Sequence, residues 1–232
     1  MPFAERQIII MDNHDKLVSS TVALSIIAGL FIYQLLQALN LPILKNYIIT
    51  FLASTAFYEI VFKVFVFLFS NVTFLKKIIW GKLFLEGYWL YTYDLNGIKK
   101  YGAWCIKQDY DSIEIKGFGI ANDKTRRSDV QSISQLIKRN NDYEVVNMRR
   151  DVVDGAFSDT YYYSKTSLHF HDRSTFLNLF NYPTTMDGVT IVYGGQMSGN
   201  RHGNLVFHKI KKARTENDIE KVVFQKIDND AR

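Results

Sequence analysis

Several groups of residues have the types and spacing to carry chemistry. His169 and His171 alternate along a segment predicted to be a strand, so both rings fall on one face and could share a metal ion. A third ligand at matching spacing is missing, and no metal site is expected. Serine, histidine and aspartate all occur, but no serine sits in a nucleophile elbow, and there is neither a P-loop nor a convincing glycine-rich dinucleotide fingerprint. The chain is therefore expected to be no enzyme, to have no catalytic residue and to need no cofactor. Glu59 and Lys63 pose a different question. They are the only acidic or basic residues between positions 46 and 75, and near a bilayer midplane each charge costs about 2.5–3.5 kcal/mol. Glu precedes Lys at i, i+4, the favourable order for a pair on one helix. The alternative is that each meets its opposite on a neighbouring chain, which marks both as candidates for membrane assembly.

These groups must be positioned by elements of two kinds. Between Lys16 and Lys45 lie 28 residues without Asp, Glu, Lys, Arg or His, and about 20 suffice to cross the hydrocarbon core. The run is too long for a signal peptide, and a second apolar run follows at once. Asn40 and Pro42 supply a turn between the two. The expectation is a transmembrane hairpin, with helices over about 17–39 and 46–75 in an anchor spanning 1–81. Arg6, Lys16, Lys76, Lys77 and Lys82 flank its outer ends, and the turn offers only Lys45. By the positive-inside rule both termini are then cytoplasmic, and the chain is expected to be a multi-pass membrane protein.

From Gly81 onward the texture changes to short alternating segments separated by turn signals. Leu85–Tyr93 leads into Asn96-Gly97, a strong hairpin cue. Strands are then expected at Tyr101–Gln108, Ser112–Ile120, Val130–Arg139, Tyr143–Arg150, Phe157–Phe170, Val189–Met197 and Leu205–Lys211, with Asn122 to Asp129 as a polar loop. Gly117 and Gly119 suggest a bulge or tight bend. Eight strands without a helical crossover predict a soluble antiparallel eight-stranded β-barrel over 82–212, since closure removes exposed edges. Charges on both faces keep it out of the lipid. A short amphipathic helix is expected within 213–232, where Ile219, Val222, Val223 and Ile227 recur at helical spacing behind a Thr215/Asp218 cap. The fold class is thus membrane-anchored α+β.

Composition narrows the function. Lys and Arg number 28 against 23 Asp and Glu, a net charge of +5. Residues 1–77 carry six basic and four acidic side chains, and the remaining 155 carry 22 and 19. So even a balance points away from DNA. One cysteine excludes a disulfide framework and suits a reducing compartment. Thirty-four aromatic residues (17 Phe, 14 Tyr and 3 Trp) exclude disorder.

Two membrane helices, a short basic linker, Gly87-Tyr88-Trp89, Gly102-Ala-Trp-Cys-Ile106 and the closing Gly203-Asn-Leu-Val-Phe-His-Lys-Ile210 resemble the two-transmembrane, β-strand-rich effector family of bacterial CBASS anti-phage systems. That family is related in role to STING. The resemblance implies a cytoplasmic barrel that senses a cyclic dinucleotide made by a functionally linked nucleotidyltransferase. It also implies homo-oligomeric assembly of the helices and disruption of the inner membrane. Such a ligand needs Arg for its phosphates and aromatic faces for its bases. Period-two alternation with Trp89 inward also sends Tyr91 and Tyr93 inward, and Trp104 and Arg149 could line the same space. Tyr163 and Tyr193 add phenols, and Arg201 lies in the glycine-bounded segment Gly199–Gly203. Core filling is the plainer reading of the inward aromatics. The Gly-x-Trp opening also resembles lipocalins, so the alternative is a constitutive membrane-anchored binding protein for a lipid or apolar metabolite.

Overall fold

Long apolar stretches, interrupted by Gly29 in the first and by Glu59 and Lys63 in the second, carry the first two helices, α1 (Ile9–Ala38) and α2 (Ile43–Asn71). Both are long and apolar enough to cross a bilayer. The computed structural model describes residues 9–38, 43–95, 98–139, 142–153, 156–170, 182–193, 201–211, 213 and 215–231, and contacts divide the chain into a helical unit and a β-rich unit. Within the helical unit α1 and α2 run antiparallel. A Cβ added at Gly29 would come within 2.6 Å of the Ser54 hydroxyl, and Tyr33 stacks on Tyr47 with ring centroids 5.5 Å apart. Small residues at such a seam let two backbones approach where lipid supplies no hydrophobic drive. Thr21, Ser25 and Ser54 donate their hydroxyl protons to carbonyls one turn back, at 2.8, 2.8 and 2.6 Å, so these polar groups are satisfied within their own helices.

The helix boundaries differ from expectation. α1 begins eight residues before position 17, because Asp12, Asp15 and Lys16 are compatible with helix although they ended the apolar run. α2 stops at Asn71, and α3 (Thr73–Trp80) resumes after one residue. Val72 and Lys76 still donate to the Leu68 and Val72 carbonyls, so the interruption is a local irregularity. The expected turn at Asn40 to Pro42 lies outside the described residues.

The β-rich unit contains β1 (Gly87–Leu95), β2 (Ile98–Gln108), β3 (Ile113–Ile120), β4 (Arg126–Ser132), β5 (Ile137–Arg139), β6 (Asp142–Val153), β7 (Ala156–Phe170), β8 (Thr185–Tyr193) and β9 (Arg201–Ile210). Strand order β4-β3-β2-β1-β9-β8-β7-β6, with β4 also paired to β6, closes eight antiparallel strands into the expected barrel. The predicted strand 130–139 is split. β4 and β5 pair in succession along one edge of β6, and between them the side chains of Ser134 and Gln135 accept from the Val146 and Ile113 amides in place of a ladder. β4 also starts at Arg126, inside the expected polar loop. Arg126 and Asp129 pair with each other on the outer face on either side of buried Ser128, and Arg127 is the residue left out of the ladder by a register shift, so polarity there marked solvated strand positions rather than a loop. β8 begins at Thr185, with Met186 fully buried. β9 begins at Arg201, so part of the expected glycine-bounded turn is strand.

α4 (Glu216–Asp230) is entered through the predicted capping box. The Thr215 hydroxyl accepts from the Asp218 amide at 3.3 Å, and the Asp218 carboxylate accepts from the Thr215 amide at 3.1 Å. Its buried face, Ile219, Val223 and Ile227, covers Leu90, Tyr101, Ala103, Phe118 and Ile120 on the outside of β1–β3. Those three strands are therefore buried on both faces.

Candidate functional site

The barrel interior is built from the alternate residues of every strand. At one end Trp89, Tyr91, Trp104, Ile106 and Phe207 fill it completely. Trp104 and Phe207 lie 4.6 Å apart between ring centroids, and Tyr91 is 5.7 Å from Phe207 and 6.2 Å from Trp104. Two glycines admit these rings. A Cβ at Gly117 would lie 2.5 Å from Trp104 Cδ1, and one at Gly102 would strike the Tyr91 ring. The bulge expected near Gly117 and Gly119 is present at Gly119/Ile120. The polar edges at this end are closed off. Trp89 Nε1 donates to the Leu85 carbonyl at 2.7 Å. Buried Gln108 accepts from the Leu85 and Glu86 amides at 2.6 and 2.7 Å and donates to the Leu83 carbonyl at 2.8 Å. The Lys209 ammonium lies over Phe84 and Trp89.

Further along the same strands the interior turns polar. Ser128, Asn147, Ser164 and Thr166 are buried. Asn147 Nδ2 donates to Thr166 Oγ1 at 3.3 Å, which is 3.2 Å from Thr190 Oγ1. The Ser128 hydroxyl and Asn147 Oδ1 are buried without a partner, an expensive arrangement in a dry site. Beyond them Arg149, with 25% of its side chain exposed, donates through Nη1 to the Tyr93 hydroxyl at 3.4 Å and through Nε to Asp151 at 3.3 Å. Tyr93, Arg149, Ser128 and Gly119 open into a pocket of about 380 Å3, rimmed by Lys99, Lys100, Arg127 and Asp123. Four cations line the pocket; Arg127 pairs with Asp123 at 2.8 Å, Lys99 with Asp230 at 3.6 Å and Arg149 with Asp151. Burial works against the Arg149 charge, but Tyr93, Tyr91 and Asp151 outweigh it, and its pKa ends above the ordinary arginine value. The Thr125 hydroxyl and amide hold the Asp123 carboxyl down at about 2. Burial pushes the Tyr91 phenol up, and it pushes the Cys105 thiol up on the outer face.

Of the predicted ligand residues, Tyr93 and Arg149 meet at this mouth. Tyr91 and Trp104 point inward as expected but are packed into the filled end, with Tyr91 donating to the Phe118 carbonyl at 3.1 Å. Tyr163 and Tyr193 depart from the expectation. They are paired in register across β7–β8 on the outer face, 50% and 41% exposed, while Ser164, Thr166 and Leu168 form the inward set of β7. The run Tyr161-Tyr162-Tyr163 has no period-two signal, so its phase was not legible. Arg201 opens β9 opposite Val192; its side chain and residues 194–200, which include the end of the expected strand Val189–Met197, lie outside the described residues.

Lys99, Lys100, Arg127 and Ser128 were missed. Alternate turns of an antiparallel meander share one end of a barrel, so basic residues beside both the β1–β2 and β3–β4 turns were the available signal. Glu59 and Lys63 pair within α2 at 3.5 Å, with side chains 68% and 76% exposed. His169 Nδ1 lies 3.0 Å from Asp142, and His171 falls outside the described residues. Among the described residues no three His, Cys, Asp or Glu side chains gather as a metal site would require. No family model matches the chain, and no curated protein matches it either.

Proposed function

We propose that this chain is a nucleotide-gated membrane effector of the CBASS type, whose barrel mouth binds a cyclic dinucleotide and whose two N-terminal helices cross the bacterial inner membrane. The observation that carries this reading is the cationic mouth, a pocket of about 380 Å3 in which Arg149 and Tyr93 meet above unpartnered Ser128. The volume lies within the usual range of ligand pockets, about 300–1,000 Å3. Lys99, Lys100, Arg127 and Arg149 supply charge for two phosphates, Arg149 supplies a fork of donors, and Tyr93 offers a ring for stacking. Binding then drives assembly of the helices and opens the membrane, with the nucleotide supplied by a partner nucleotidyltransferase. The lipocalin-like alternative needs a dry apolar lumen, whereas Trp89, Tyr91, Trp104 and Phe207 occupy the apolar end of this interior.

Calorimetry of the full chain in detergent, against a panel of cyclic dinucleotides and fatty acids, tests the proposal. A cyclic dinucleotide should bind, and binding should weaken as salt rises. Arg149→Ala should reduce affinity by about 1.5–3 kcal/mol, the worth of a charged hydrogen bond. Binding of a fatty acid alone would transfer the site to the alternative. A reporter fused after Arg232 should be active only in its cytoplasmic form.

A further inference from the structure

The acidic helix α4 is tied to the rim of the mouth. It carries five acidic and two basic side chains, and its carboxylates reach cations beside both turns there. Glu216 accepts from Arg126 at 2.7 Å and Asp228 from Lys124 at 3.0 Å, next to the β3–β4 turn. Asp230 lies 3.6 Å from Lys99, next to the β1–β2 turn. Only 15% of the Asp230 side chain is exposed. Its Oδ1 accepts from Lys226 at 2.7 Å and its Oδ2 from the Tyr101 hydroxyl at 3.1 Å, and Lys99 approaches the same Oδ2. Lys99 and Tyr101 therefore belong to two systems, since both also line the mouth pocket. The turn of α4 that they hold carries Ile227, the last of its three apolar anchors on β1–β3.

We propose that α4 is an acidic strap that competes with the ligand: a phosphate bound at the mouth takes Lys99 from Asp230 and loosens the last turn of α4. This rests on the reading that the mouth takes a phosphate ligand, and it names how that site is regulated. The Lys99 side chain is 62% exposed, and an ion pair so open to water is weak enough to be exchanged. The ammonium trades one oxyanion for another, and Asp230 keeps only Lys226 and Tyr101.

The coupling is reciprocal, so a ligand that loosens the turn also binds more tightly when the turn is already loose. Ile219 and Val223 are fully buried and hold the first half of the helix, which confines the response to its end. Occupancy of the mouth is thereby reported on the outer face of the barrel, where Ile227 covers the apolar cluster with Leu90 and Tyr101.

Hydrogen exchange and calorimetry on the full chain in detergent test this, with pyrophosphate, cyclic di-AMP, cyclic di-GMP and cyclic GMP-AMP as probes. A saturating probe should speed amide exchange over 226–230 by about two- to fivefold, the worth of an exposed ion pair, and leave 217–223 unchanged. Asp230→Asn removes the charge and still offers an oxygen to Tyr101. It should bind the same probe about two- to fivefold tighter than the wild-type chain, with a melting temperature close to wild type. In Lys99→Met the end of α4 should exchange fast with or without the probe, and adding Asp230→Asn should no longer tighten binding. That double-mutant cycle separates a shared lysine from the general field of a nearby carboxylate, which acts whether or not Lys99 is present. Unchanged affinity in Asp230→Asn, slower exchange of 226–230 on binding, or a gain that survives in Lys99→Met would overturn the strap and leave the mouth as the ligand site. Pyrophosphate alone producing these effects keeps the strap and removes the cyclic dinucleotide. Failure of every probe to bind either the wild-type chain or Asp230→Asn would overturn both.

Discussion

At one end of the barrel Trp89, Trp104 and Phe207 pack ring against ring, with Gln108 satisfying the surrounding backbone. A few residues along the same strands Arg149, Tyr93 and Ser128 stand around open space, and some buried polar atoms have no partner. Strand, period and closure are common to both ends; only the chemistry of the inward side chains changes. The filled end follows the rules of a stable core, and the polar end breaks them. A site that departs from local rules can persist where neighbouring structure over-determines it. The unpartnered polar groups are the observation on which the proposed ligand site rests.

The contrast sharpens most through Phe207→Ala. Removing a fully buried ring should destabilise the barrel by about 3–5 kcal/mol, seen as a lower melting temperature of the full chain in detergent, with nucleotide affinity per folded molecule unchanged. Arg149→Met should do the reverse. The Arg149–Asp151 pair is partly exposed on both sides, and such pairs contribute about 1 kcal/mol or less, so stability should stay within about 1 kcal/mol while affinity falls as for Arg149→Ala. If Arg149→Met melted as early as Phe207→Ala, the two ends would not differ in role.

A smaller effect is expected on the outside of the filled strands. Thr215→Ala removes half of the capping box and should cost about 1 kcal/mol, seen as earlier loss of α4 amide protection in hydrogen exchange. Binding at the mouth should be unaffected. The smallest effect belongs to Asp123 on the rim. Its folded pKa of about 2 lies below the ordinary aspartate value of about 3.9. Its contribution to stability is therefore present above about pH 4 and fades as pH falls through about 2. Asp123→Asn should flatten that portion of the melting profile by slightly lowering the melting temperature at neutral pH, with little change near pH 2.

Much of the architecture was legible because it rests on local periodicity. Uncharged runs marked α1 and α2, the Asn96-Gly97 turn marked the first hairpin, and Thr215 with Asp218 marked the start of α4. Tyr93 and Arg149 were legible as inward residues because Trp89 and Asn147, on the same faces, fix their phase. Tyr163 was not, since three consecutive tyrosines satisfy either phase, and the rim lysines were not, since nothing local distinguishes a solvated turn from a pocket edge.

The sequence by itself determined which segments are helix and which are strand, that the helices can cross a bilayer, and that the strands suit closure. Each of these follows from side-chain polarity at a spacing of 3.6 or 2 residues. Only the tertiary structure decided which end of the barrel is filled, that Lys99, Lys100 and Arg127 join Arg149 at one mouth, and that α4 buries the outer face of β1–β3. Those facts depend on strands distant in the chain meeting at a common level of the barrel. That level is set by ladder register and closure, which no single segment encodes.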